Sequence, residues 1–224
     1  SGFIGSELYN YLKFKEYNVI GYSRKNKKNL VKINSYNEIK GKKNDILIHL
    51  AQFSNTKKNI TKEEIRKNII INNKLAKSNW KHIIYISSTN IYMQGKKLKD
   101  ENEKIDIEVF KKKNDLYSLI KAESEKIFLK KQASVLRLSN VYGKKMSNSS
   151  LFMHVIKQMN NKKIIVNDLR PIRDYVFIED VVYAIELFIQ KNKSGIYNIN
   201  YGKSFSVKKI LSIMLEICKM NKKI

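Results

Sequence analysis

Apolar residues fall along this chain in two spacings. Three runs are apolar at almost every position: Ile46-Leu47-Ile48-His49-Leu50-Ala51, His82-Ile83-Ile84-Tyr85-Ile86 and Ser134-Val135-Leu136-Arg137-Leu138. Runs of that length predict strands covered on both faces. A shorter run, Val19-Ile20-Gly21-Tyr22, ends at Ser23-Arg24 and predicts a further strand. Between the runs the spacing turns helical. Leu8, Tyr9, Leu12 and Phe14 follow the first glycine turn, Ile65, Ile69 and Leu75 share one side of residues 61–79, and residues 116–130 continue the pattern. Strand and helix alternate, which predicts right-handed crossovers and a parallel sheet with helices on both faces.

Beyond Gly143 the alternation loosens. Residues 151–160 read as a helix and Lys163-Ile164-Ile165-Val166 as a short strand. Arg173-Asp174-Tyr175-Val176-Phe177-Ile178 reads as another strand, with Glu179-Asp180 placed to cap a helix over 181–190. Ile196-Tyr197-Asn198-Ile199 is a strand, and a last helix runs over 206–220 from Ser206. In a parallel α/β sheet, ligands bind beyond the carboxyl ends of the strands. Candidate chemistry therefore lies at Ser23-Arg24, Ala51-Gln52, Ser87-Ser88-Thr89 and Ser139-Asn140.

Composition narrows the picture. The chain has 224 residues, long enough for one large domain or two small ones. One cysteine, Cys218, leaves no disulfide within the chain and fits a reducing compartment. No apolar run reaches the ~18 residues that cross a bilayer. The net charge of +25 raises a nucleic-acid partner, but 40 of the 45 basic residues are lysine. Lysine, isoleucine and asparagine, all with A/T-rich codons, are in excess together, and the lysines are scattered. Arginine, the usual reader of base edges, occurs five times. A solvated lysine surface accounts for the charge without nucleic acid.

Two spacings carry chemistry. Gly2 and Gly5 run straight into a helix, whose free N–H groups suit a pyrophosphate. Tyr117 and Lys121 stand four apart on one helix face. An ammonium beside a phenol favours the phenolate and lowers its pKa, so the pair can move a proton to or from a hydroxyl or carbonyl oxygen. Ser87 and Ser88, at the end of a buried strand, can donate to the same oxygen. His49, His82 and His154 lack the spacing of a metal site and read as packing or surface residues. Cys218 reads as a buried structural thiol, and Trp80 as a packing residue.

These pieces stand in the order of a known family. Ser1-Gly2-Phe3-Ile4-Gly5-Ser6, Ser87-Ser88-x-x-Ile91-Tyr92, Tyr117-x-x-x-Lys121, Arg137-Leu138-Ser139-Asn140-Val141-Tyr142-Gly143, Arg173 to Val181 and Gly195-Ile196-Tyr197-Asn198-Ile199 follow one another in register. Together they resemble the extended short-chain dehydrogenase/reductases of the NAD-dependent epimerase/dehydratase type, which act on nucleotide sugars. The resemblance implies a Rossmann-like doubly wound parallel sheet with a small interleaved substrate-binding domain. Residues 1–142 would form the NAD(P)-binding part. Residues 143–224 would be mainly substrate-binding, interleaved with the first part around 172–190.

The resemblance also implies roles. Gly2 and Gly5 match the last two glycines of the dinucleotide loop. Ser23 and Arg24 fall at the adenosine ribose, Ala51 and Gln52 under the cofactor, and Asn68 at a helix start near it. Ser88 matches the hydroxyl that binds the reacting oxygen, Tyr117 the acid/base, and Lys121 the residue that lowers the tyrosine pKa and binds the nicotinamide ribose. Asn140 and Arg173 match positions that meet the nucleotide diphosphate. The implied cofactor is NAD or NADP, the substrate a nucleotide sugar, and the reaction hydride transfer at a sugar carbon. An epimerase is the first expectation. A 4-keto nucleotide-sugar reductase consuming NADPH, a 4,6-dehydratase and a non-catalytic cofactor- or nucleic-acid-binding relative are the alternatives. No nucleic acid and no membrane are expected as partners, a homodimer stays open, and the compartment is the cytoplasm.

Departures from the pattern carry expectations of their own. The first strand and first glycine of the loop are missing, so the chain reads as a fragment that also lacks C-terminal sequence. Met93 stands where a glycine usually follows the tyrosine, with Gln94-Gly95 behind it. Thr89-Asn90 replaces the Asp-Glu pair of the 4,6-dehydratases, and neither side chain serves as a carboxylate acid or base. No carboxylate follows Ser23-Arg24 until Glu38, which points Arg24 and Lys25 at a 2′-phosphate.

Overall fold

The computed structural model describes residues 2–51, 60–92 and 100–220. Its centre is a four-stranded parallel sheet, ordered β3 (Ile46–His49), β4 (His82–Ser88), β5 (Ser134–Leu138) and β8 (Gly195–Ile199). β4 and β5 are buried at every position, which is why their sequences run apolar without alternation. Successive side chains leave opposite faces. Ile84 and Ile86 meet α1 (Phe3–Phe14) and α6 (Ile178–Lys191) through Leu8, Leu12, Val181 and Ile185. On the other face Ile83 and Tyr85 meet α2 (Lys62–Lys77) and α4 (Leu116–Leu129) through Leu75 and Phe128. The helices cover both faces, as the alternation predicts.

A second parallel pair, β1 (Tyr22–Ser23) with β2 (Val31–Lys32), stands apart from this sheet. The strand expected over Val19 to Tyr22 forms its ladder only from Tyr22, through Val31 N–H to Gly21 O and Ile33 N–H to Ser23 O. Extended backbone becomes a strand only where a neighbour takes its hydrogen bonds. Among the described residues, β1 pairs on one side with β2 alone, and β3 on one side with β4 alone.

The later half adds β6 (Asn140–Tyr142), parallel to β7 (Ile172–Phe177), which pairs antiparallel with β9 (Ser204–Ser206). Gly143 enters this sheet at φ +150, and a Cβ there would stand 2.4 Å from Ile178 Cγ2, so only glycine fits the corner. A separate apolar cluster joins α5 (Leu151–Ile156) to α7 (Val207–Ile217) through Val155, Ile164, Leu211 and Leu215. The helix α3 (Ile107–Lys112), unmarked in the sequence reading, packs Ile107 and Phe110 on Ala122 of α4.

Four expectations give way. Residues 163–166 form no strand: Ile164 is buried in the α5–α7 cluster while Ile165 hydrogen-bonds Gln158, so the apolar run serves packing. Glu179 and Asp180 do not cap α6. They lie inside its first turn, and the N-cap is Phe177, with no side-chain cap bond. Their charge still favours that end of the helix dipole. Cys218 is exposed at the C-cap of α7, one step past the apolar face. Asn68 sits mid-helix in α2, because Thr61 and Glu64 form a capping box seven residues earlier. Trp80 packs as expected, donating from Nε1 to Leu75 O at 2.7 Å, with its ring against Gly41.

Candidate active site

A cavity of about 1950 Å³ lies over the carboxyl ends of the parallel strands and runs along the free edge of β3 to its amino end at Asp45 and Ile46. Gly2, Gly5, Arg24, Ala51, Asn68, Ser88, Tyr117, Lys121, Asn140 and Arg173 all line it, although the sequence spreads them over 172 residues. Ser23 does not. It is buried, and its Oγ accepts from Lys25 N–H at 3.1 Å, so it shapes the turn that follows β1. Gln52, Met93, Gln94 and Gly95 lie outside the described residues.

At one end α1 starts on Gly2 with no side-chain cap and no acidic residue in its first turn. Its first N–H groups and partial positive charge are left for a ligand. A Cβ added at Gly2 or Gly5 would meet nothing within 4 Å, so protein packing does not demand glycine there. The two glycines keep the space above the helix end clear, as a close-lying pyrophosphate needs.

At the middle stand Ser88, Tyr117 and Lys121. Ser88 closes β4 and caps the following 3₁₀ turn, its Oγ accepting from Asn90 N–H at 3.2 Å. The Tyr117 hydroxyl stands near the Ser88 side chain, which favours its phenolate form. Lys121, one turn on in α4, is 6% exposed, and its ammonium donates to Ile86 O at 2.8 Å. It lies 6.0 Å from the Tyr117 ring centre and 5.3 Å from that of Tyr85.

The electrostatics differ from the sequence expectation. Burial lowers Lys121 to about 7, with Glu125 pulling the other way. Burial likewise raises Tyr117 above the usual phenol value, opposed by Ser88 and assisted by Asp115. Desolvation disfavours both charged forms and is the largest cause of each shift. The free site therefore holds Tyr117 as a neutral acid.

Behind these groups lies a buried ion pair. Arg137 Nη2 and Nε meet the Glu125 carboxylate at 2.8 and 3.2 Å, and Nη1 donates to Tyr92 Oη at 2.9 Å. Tyr92 donates onward to Asn198 Oδ1 at 2.7 Å. Glu125 is one helical turn beyond Lys121, so this network ties α4 to β5, β8 and the turn after β4.

At the far end Asp174, quoted in the sequence only as part of a motif, organises the loops. Its carboxylate accepts from Ser139 Oγ at 2.8 Å, Tyr201 N–H at 2.9 Å and Gly202 N–H at 2.8 Å. Its backbone carbonyl accepts from Asn140 Nδ2 at 2.9 Å. That geometry fixes Asn140 and the adjacent Arg173 at the cavity wall. Phe152 stacks on Tyr142 at 5.1 Å and meets the edge of Tyr175 at 5.2 Å, giving this end an aromatic side that no short sequence spacing marks. Asn90 also faces the cavity. Among the described residues no group of histidine, cysteine, aspartate and glutamate is built to hold a metal, and no helix is long and apolar enough to cross a membrane.

Known proteins resemble this chain in sequence and in fold. A dTDP-D-glucose 4,6-dehydratase of Dictyostelium discoideum is 27% identical over 201 residues, covering 76% of this chain and 45% of that protein. An ADP-L-glycero-D-manno-heptose-6-epimerase of Brachyspira hyodysenteriae is 29% identical over 150 residues, covering 61% and 46%. A CDP-abequose synthase of Salmonella muenchen is 32% identical over 100 residues, covering 41% and 34%. The chain thus spans less than half the length of the curated relatives it matches. Two solved structures share the fold. MoeE5 in complex with UDP-glucose and NAD gives a TM-score of 0.80 at 21% identity, over 99% of this chain and 83% of that one. The UDP-glucuronic acid 4-epimerase of Bacillus cereus, with UDP-glucuronic acid and NAD, gives 0.78 at 20%, over 99% and 82%. The sequence profile of one family covers residues 1–200, taking in the glycine turn, the Ser-Tyr-Lys group and the Arg173 strand alike. The chain belongs to the NAD dependent epimerase/dehydratase family.

Proposed function

We propose that this chain carries the site of a nicotinamide-dependent nucleotide-sugar epimerase. The observation that carries the reading is the meeting of Ser88, Tyr117 and Lys121 in one cavity with an open helix end at Gly2 and Gly5. The cavity exceeds the ~300–1,000 Å³ of a site for one small ligand, and its two ends suit two anionic ligands. Residues 1–142 supply the dinucleotide end, and residues 143–224 mainly the sugar-nucleotide end. Asn140 and Arg173 face the diphosphate there, beside the aromatic side chains.

A bound nicotinamide supplies the acceptor and donor of a hydride at the sugar carbon. The chain's own residues handle the proton. Ser88 holds the reacting oxygen. Tyr117 gives its proton to that oxygen when a ketone is reduced and takes it back when a hydroxyl is oxidised. Lys121 recovers its charge beside the anionic ligands and then stabilises the phenolate. Ala51 and Asn68 line the cavity along the cofactor's path. A reducing cytoplasm suits the single thiol, and the scattered lysines give no reason to invoke nucleic acid.

A second reading, an NADPH-dependent 4-keto nucleotide-sugar reductase, uses the same residues. It is favoured by Tyr117, which the free site keeps protonated and ready to donate. A 4,6-dehydratase is disfavoured, because Asn90 brings an amide to the cavity where the elimination needs a carboxylate. The test is to purify the full-length protein, identify the nucleotide it retains and assay nucleotide sugars. Interconversion of two epimers with cofactor regenerated supports the first reading, and stoichiometric NADPH consumption the second. Formation of a 4-keto-6-deoxy sugar overturns both.

A further inference from the structure

We infer that Ser87 is a positioning residue for Lys121: its hydroxyl is the acceptor that the buried ammonium needs when the lysine carries its charge. The inference rests on the proton handling in the proposed function and deepens it.

Ser87 is 3% exposed and lines the cavity, and its Oγ is buried with no hydrogen-bond partner among the described residues. An unpaired buried hydroxyl is costly to keep. Alternation along β4 places Ser87 with Ile83 and Tyr85 on the face that α2 and α4 cover, and Ser88 on the other. The two serines adjoin in sequence, yet they do not share the reacting oxygen. Ser88 stands near Tyr117, whereas Ser87 stands on the side of the lysine. There the Lys121 ammonium lies 5.3 Å from the Tyr85 ring centre and donates to Ile86 O, the carbonyl bonded directly to Ser87 N.

A charged Lys121 needs acceptors. An ammonium has three N–H donors, and Ile86 O takes one. The ionisable groups around it are committed elsewhere. Glu125 of α4 and Arg137 of β5 are bound to each other. Tyr117 of α4 and Tyr85 of β4 present their rings. His49 of β3 is held through Nε2 by Asn72 of α2, and a charged Lys121 disfavours its proton. Asp115 caps α4, Glu64 caps α2, and Lys67 pairs with Glu63. Ser87 adjoins the carbonyl that already holds the ammonium, and its hydroxyl offers two lone pairs. A hydrogen bond made to the charged form favours that form and opposes the burial that works against it. The opposing account is that Ser87 is only a small residue fitting beside Arg137, its partner in β5. That account leaves the protonation of Lys121 untouched by any small replacement, so titration separates the two.

The measurement is a carbon NMR titration of full-length protein labelled at lysine Cε, with the Lys121 signal assigned by its loss in Lys121→Arg. Ser87→Ala should lower the Lys121 midpoint by about one pH unit, the worth of one hydrogen bond to a charged group. Ser87→Thr, which keeps the hydroxyl, should restore most of that shift. Ser87→Cys, close in size but a weak acceptor, should fall with Ser87→Ala, and it gives the same reading should the alanine variant not fold. In turnover of a nucleotide sugar, Ser87→Ala should move the alkaline limb of the kcat profile toward neutral pH, with KM changed less than about twofold. An unmoved midpoint in Ser87→Ala and Ser87→Cys, or an equal fall in Ser87→Thr, overturns the inference. The midpoint is read without substrate or dinucleotide. Absence of any nucleotide-sugar turnover in the wild type therefore overturns the proposed function, while the midpoint still decides the part played by Ser87.

Discussion

At the scale of single residues, the chemistry rests on one phenol and on buried groups that resist charge. Tyr117→Phe keeps the ring, so folding and cofactor binding should survive while turnover of a nucleotide sugar falls by about 10²–10⁴. A variant that turns over at full rate removes Tyr117 from the proton transfer. His49 shows how burial sets a pH limit on the fold. Its Nε2 pairs with Asn72 Oδ1 at 3.0 Å beside the stacked rings of Tyr85 and Phe128, and burial lowers it from 6.5 to about 4. The unfolded chain takes up this proton first as pH falls. The stabilisation is therefore present above pH 6.5 and is lost toward pH 4, by about 3 kcal/mol for this group. Urea unfolding of the wild type and His49→Gln across that range should show the difference as a shallower slope for the variant. Parallel curves would mean that His49 does not stay neutral in the fold.

At the scale of elements, two polar junctions hold the site's walls. The Arg137–Glu125 pair joins β5 to α4 with both side chains at most 4% exposed. Arg137→Ala leaves a buried carboxylate without its partner and should cost about 3–5 kcal/mol. Replacing both residues by apolar ones of similar volume should recover most of that stability, measured by denaturant unfolding. Recovery with impaired catalysis would show that the pair also places Lys121 through α4. Asp174 is the second junction, tying β6 and β7 to the backbone at Tyr201 and Gly202. Asp174→Ala strands the donors of Ser139, Tyr201 and Gly202 and loosens the loops beside Asn140 and Arg173. KM for the nucleotide sugar should rise while dinucleotide affinity stays within about twofold. An equal loss of both would place Asp174 in general stability instead. These junctions were only half legible. Arg137, Asp174 and Tyr92 stand inside motifs, yet nothing in their spacing says that Glu125, Asn198 or Gly202 would be the partner.

At the scale of the whole molecule, the +25 charge acquires a direction. The cavity is lined by Arg24, Lys25, Lys27, Lys40, Lys67, Lys121 and Arg173 against Asp45 and Glu64. Such a cleft focuses positive potential on anionic ligands. Exposed charges are screened over about 10 Å at 0.1 M salt and about 3 Å at 1 M. Dinucleotide affinity should therefore fall several-fold between those two salt concentrations. An affinity that holds constant would assign the lysine excess to the solvated surface alone.

The sequence by itself determined the layered α/β architecture. Strands buried on both faces must run apolar, and surface helices must not, so β4 and β5 could be read to within two residues. It also marked Gly2, Gly5 and Ser88, which stand at a helix start or strand end where backbone geometry places ligands, and Tyr117 and Lys121, which stand four apart on one helix face. Tertiary structure alone decided the rest. It decided that residues 163–166 form no strand and that, among the described residues, Val19 and Ile20 gain no ladder partner, because strand formation depends on a neighbour far along the chain. It turned Cys218 outward, since a helix end and not an apolar spacing sets that exposure. It also set burial against charge at Tyr117 and Lys121, raising the phenol that spacing alone predicts to be lowered. Spacing brings two side chains together, but the depth at which the fold buries them decides whether either can hold a charge.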